Sequence, residues 1–89
     1  MNTIVGKFVV DISDIITVKL PSSAQPLHFA EQHGVLCLWA LIDLDQKEKR
    51  RFEFRMAGTG HPIEPTMSMR YMNTILMQGG SLVFHFFQL

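Results

Sequence analysis

Residues 35–43 read Val35-Leu36-Cys37-Leu38-Trp39-Ala40-Leu41-Ile42-Asp43, and the way this stretch folds decides the class of the whole chain. A period of two places Leu36, Leu38, Ala40 and Ile42 on one side of a strand and Val35, Cys37, Trp39 and Leu41 on the other. Both faces are apolar. A single-layer antiparallel sheet keeps one face polar, so this strand must be sandwiched within the chain or covered by another subunit.

The flanking segments keep the same period. Upstream, residues 3–11 set Val5 and Val9 against Ile4, Phe8 and Val10, and residues 15–20 set Ile16, Val18 and Leu20 against Thr17 and Lys19. Residues 27–32 set Leu27 and Phe29 against His28 and Ala30. Pro21 and Pro26 fix φ and withhold ladder donors, which makes 21–26 a turn. His33-Gly34 supplies a hairpin turn in which Gly34 takes positive φ. Downstream, 45–50 is a charged loop, and residues 51–56 alternate Phe52, Phe54 and Met56 with Arg51, Glu53 and Arg55. Residues 57–69 carry two glycines and two prolines with little periodicity, which predicts a long irregular connection of the functional kind. Residues 70–78 set Tyr71, Asn73, Ile75 and Met77 against Met72, Thr74 and Leu76, Gly79-Gly80 marks a tight hairpin, and 81–89 is again apolar on both faces. The outcome is an all-β chain of about seven strands, folded as one small antiparallel β-sandwich or barrel-like domain over residues 1–89.

Size and charge narrow the function. A chain of 10.2 kDa exposes roughly 5,300 Å² folded against roughly 14,800 Å² unfolded. Two doubly apolar strands in so small a domain predict a homo-oligomer. Eight Lys+Arg balance eight Asp+Glu, which removes the basic excess that a phosphate backbone demands, so neither DNA nor RNA is an expected partner. No apolar run reaches the length of a spanning helix and no basic leader precedes one, so no membrane is expected. One cysteine, Cys37, permits no internal disulfide and fits a reducing cytoplasm.

The most informative local feature is Gly58-Thr59-Gly60-His61-Pro62. Glycines around Thr59 let backbone amides converge on an anion, and Arg55 stands just before them. The alternative is a structural turn in which the glycines serve only the backbone. No lysine or helix signal follows, which excludes a Walker loop and a dinucleotide fingerprint. His28, His33, His61 and His85 show no metal-ligand spacing, and His85, on an apolar strand, reads as a hydrogen-bonded core or interface residue. No carboxylate pair or activated nucleophile emerges, so no enzyme and no cofactor is expected. Trp39 and Tyr71 each join an apolar body to a polar tip and suit a half-buried pocket wall.

Three motifs in fixed order, 36–43 (LCLWALID), 58–63 (GTGHPI, after Phe54) and 79–86 (GGSLVFHF), resemble a family of short, mostly phage-encoded proteins catalogued as a domain of unknown function. The likeness runs from about Val9 to the end of the chain, with His33 and Leu44 departing from the family's turn residues. It implies kinship with anti-CBASS sponges, β-rich oligomers that sequester cyclic dinucleotides without cleaving them in the host cytoplasm. On that reading Arg55 and Arg70 meet phosphate charge, Gly58, Thr59 and Gly60 hold phosphate oxygens, His61 bonds ribose or phosphate, and Tyr71 or Trp39 stacks a base. The rival expectations are an inhibitor that blocks a host defence protein by direct contact, and a small virion structural or assembly protein.

Overall fold

The computed structural model describes residues 2–64 and 68–89. Among the described residues seven strands follow one another: β1 (Thr3–Val9), β2 (Ile15–Pro21), β3 (Gln25–Gln32), β4 (Val35–Asp43), β5 (Lys49–Gly58), β6 (Arg70–Met77) and β7 (Leu82–Gln88). They form two antiparallel sheets, a three-stranded one in the order β1-β4-β3 and a four-stranded one in the order β2-β5-β7-β6. The fold is therefore a sandwich and not a closed barrel. Among the described residues no helix is long and apolar enough to cross a membrane.

The core lies where the two inner faces meet. Leu36, Leu38 and Ala40 of β4 are buried against Phe52, Phe54 and Met56 of β5, Ile16 and Leu20 of β2, and Phe86 of β7. Phe29 of β3 binds the layers together. Its ring stacks on Phe86 at 4.3 Å between centroids and meets Phe54 edge-on at 5.1 Å. Offset and edge-to-face contacts of this kind add to the burial of the rings. A second stitch is polar: the Asn73 amide donates to the Phe29 carbonyl (2.7 Å) and accepts from the Phe29 N–H (3.1 Å), joining edge strand β6 to edge strand β3.

Two bulges change the faces that strict alternation assigns. In β3, Pro26 pairs with Ala40 and His28 with Trp39, so Leu27 is the extra residue. Pro26, not Leu27, shares the core face with Phe29, and Leu27 is exposed. In β6, Tyr71 pairs with Phe87 while Asn73 pairs with Phe86, making Met72 the extra residue. Tyr71 thereby leaves the Asn73, Ile75 and Met77 face and joins the outer one.

The turns differ in part from expectation. His33 (φ 53°) and Gly34 (φ 78°) form the expected two-residue turn, both left-handed. Gly79-Gly80 is not a tight two-residue hairpin: Gln78–Gly80 is a short 3-10 segment in which Gln78, Gly79 and Gly80 all have positive φ. The charged loop after β4 is shorter than expected because β5 already begins at Lys49. The irregular connection expected over 57–69 starts inside β5, which runs to Gly58, and its residues 65–67 lie outside the described residues.

Candidate functional site

Strand β5 ends at Gly58, and its next four residues form a turn that is tied down on three sides. His61 N–H donates to the Gly58 carbonyl (3.1 Å), and Gly60 takes φ +83°, the left-handed third position of a type II turn. Thr59 N–H donates to the Val83 carbonyl of β7 at 3.4 Å. The His61 amide is therefore engaged within the turn and the Thr59 amide by β7, and Gly60 N–H is left as the backbone donor of residues 59–61 among the described residues. Gly58 is a glycine for another reason: a Cβ there would stand 2.8 Å from His61 Nδ1, so the imidazole lies directly over the backbone.

Arg55 holds this turn from below. Its guanidinium donates to the carbonyls of Met56 (2.6 Å), Pro62 (3.2 Å) and Asp14 (3.4 Å), and it faces the carboxylates of Asp14 and Glu64 at 3.7 and 4.0 Å. With its side chain only 12% exposed, it anchors the 61–64 segment and the β1–β2 connection to the sheet.

The sequence pattern did not single out His85 as part of this site. It stands on the outer face of β7, where Thr59 Oγ1 is hydrogen-bonded to Nε2 at 2.7 Å and Thr74 Oγ1 to Nδ1 at 2.9 Å. Tyr71 Oη lies 2.7 Å from Thr74 Oγ1, so an unbroken chain runs Tyr71–Thr74–His85–Thr59. The register explains it: Ala57, His85 and Thr74 are directly opposed across β5, β7 and β6.

Three hollows meet at the turn. One of about 210 Å³ is floored by His85 and Phe87 and walled by Gly60 and Ile63. A second, of about 250 Å³, lies toward Ser81 and Phe84, and a third, of about 390 Å³, toward Ile12, Ser13 and Asp14. Gly58 and His61 line all three. A larger hollow of about 520 Å³ lies elsewhere, along the open edge of β2 from Ile15 to Lys19, and contains none of the residues of this turn.

Of the residues the sequence singled out, Gly58, Thr59, Gly60 and His61 come together, Arg55 supports them, and Tyr71 reaches them through Thr74 and His85. Arg70 does not join them: it pairs with Gln88 at the far end of the sheet and donates to that side chain's Oε1 (2.7 Å). Trp39 is on β4 in the other sheet, opposite Lys7 and His28.

No curated protein and no solved structure matches this chain. One family model covers it from residue 1 to residue 89, and with that the chain belongs to the family described as Domain of unknown function (DUF7352).

Proposed function

We propose that this protein binds a cyclic dinucleotide and sequesters it uncleaved, as a phage-encoded antagonist of a bacterial immune signal acting in the host cytoplasm. The observation that carries the reading is the convergence of three hollows on Gly58 and His61, which suits a ligand of several lobes centred on one backbone turn. The donors offered carry no fixed positive charge: the Thr59 hydroxyl, Gly60 N–H and the His61 ring. Such a set matches a phosphodiester, which carries one charge per phosphate, better than a phosphate monoester carrying two. Phe87 in the hollow and exposed Tyr71, 5.7 Å apart between centroids, offer ring surface to a base, a contact worth roughly 1–3 kcal/mol.

The test is native mass spectrometry of the protein purified from cells that express a cyclic-dinucleotide synthase. The expected spectrum shows a retained nucleotide mass, released intact on denaturation. A protein recovered without nucleotide, or one that accumulates linear product, removes the proposal.

A second feature favours association through the other sheet. The outer face of β1-β4-β3 carries exposed Val5, Val9 and Val35 beside half-buried Trp39 and Leu41. We assign this face to a second copy of the chain; the rival occupant is a host protein.

A further inference from the structure

The Tyr71–Thr74–His85–Thr59 chain contains three hydrogen bonds and, with a neutral imidazole, four hydrogens to fill them: one on each hydroxyl and one on the ring. One hydrogen is always left over, and the tautomer of His85 decides whether it can be that of Thr59. With the proton on Nε2, the imidazole donates to Thr59 Oγ1, Thr74 donates to Nδ1, Tyr71 donates to Thr74, and the Thr59 O–H points outward as a donor. With the proton on Nδ1, both bonds to the imidazole reverse, while Thr74 can accept from Nδ1 and from Tyr71 through its two lone pairs. Thr59 then donates inward to Nε2 and offers only lone pairs to a ligand, and the unused O–H is that of Thr74 or Tyr71.

We infer that Tyr71, Thr74 and His85 are positioning residues that set the polarity of Thr59, so that a ligand bearing an acceptor oxygen, such as a phosphodiester, is bound only by the Nε2-protonated tautomer. The inference rests on the ligand reading above and adds to it a rule of selection: a ligand that presents a donor to Thr59 demands the opposite tautomer. The coupling is set by the partner of the distant ring nitrogen, the usual way in which a histidine tautomer is fixed. The bulge at Met72 is the structural precondition, because without it Tyr71 would face the core and the chain would stop at Thr74.

The experiment uses the full chain, labelled with ¹⁵N in its histidines, titrated with dimethyl phosphate and with cyclic di-GMP as probes. The Gly60 amide reports binding, and long-range imidazole ¹⁵N–¹H spectra report the His85 tautomer. The expected result is a shifted Gly60 amide together with a single Nε2-protonated form in the complex. Thr74→Val, which touches no ligand, should weaken both probes about 2- to 10-fold, the span of one neutral hydrogen bond, and Thr74→Ser should restore them. A Gly60 shift with Nδ1-protonated His85, or unchanged affinity in a folded Thr74→Val protein, overturns the inference and leaves the ligand reading intact. No Gly60 shift with either probe overturns both.

Discussion

Gly58 and Gly60 stand two residues apart and must be glycine for different reasons. At Gly60 the constraint is the backbone, since φ is +83° and a Cβ would meet nothing within 4 Å. At Gly58 the constraint is space, because His61 occupies the place of a Cβ. Gly60→Asn, a residue that tolerates the left-handed region, should retain most stability and probe binding, whereas Gly60→Val should lose about 1–2 kcal/mol of stability from its backbone alone. Gly58→Ala should displace the imidazole and lower cyclic di-GMP affinity while the melting temperature changes little. Calorimetric titration beside thermal melts checks all three, and equal affinity in Gly58→Ala would separate His61 from the ligand. Asn73 offers a prediction about stability. Asn73→Leu removes the partners of the Phe29 N–H and C=O and leaves both partly buried groups unpaired, each costing about 1 kcal/mol, to be read from the midpoint of chemical denaturation.

Two bulges and one arginine decide what the strands present. The β6 bulge delivers Tyr71 to the face of Thr74 and His85, and the β3 bulge seats Pro26 in the core and exposes Leu27. Neither is marked in the sequence by a glycine, so strict alternation puts both residues on the wrong face. Arg55 is held among carbonyls of its own chain. Its spacing from the glycines is what a phosphate-binding arginine would have, yet its donors are taken up by Asp14, Met56 and Pro62. Arg55→Ala should therefore lower stability by about 1.5–3 kcal/mol, the range for hydrogen bonds to a charged group, and accelerate exchange of the His61 amide. A variant with a normal melt but weakened cyclic di-GMP binding would instead return Arg55 to the ligand.

The whole molecule is a thin slab, 42 × 33 × 16 Å, with a radius of gyration of 13.5 Å where a compact chain of this length has about 12 Å. Its exposed surface of 5805 Å² exceeds the roughly 5,300 Å² expected for its mass. The excess coincides with apolar outer faces, including Val9 at 65% and Val5 at 56% exposure. Light scattering at micromolar concentration should show an oligomer, and Val9→Glu should yield a soluble monomer with stability within about 0.5 kcal/mol of the original. A wild-type monomer removes the claim. Phe86 is unsuitable for this test, because it is fully buried against Phe29 and a charge there attacks the core instead of an interface.

Period-two alternation determined that the chain is all-β, how many strands it has and which residues of β2, β4 and β5 face the core, because side-chain direction in a regular strand follows from chain geometry alone. The turn at Gly58–His61 was legible for a related reason: glycines and a proline in close succession leave the backbone few alternatives. Which strands are neighbours was not legible, since β1 pairs with β4 and β2 with β5 across long stretches of sequence. That pairing decides the site. It sets Ala57, His85 and Thr74 side by side, joins Thr59 to Tyr71 through them, and sends Trp39 and Arg70 elsewhere. The Thr59–His85 bond joins residues 26 positions apart and depends on sheet register, and register is settled only when both faces of the sandwich are packed together.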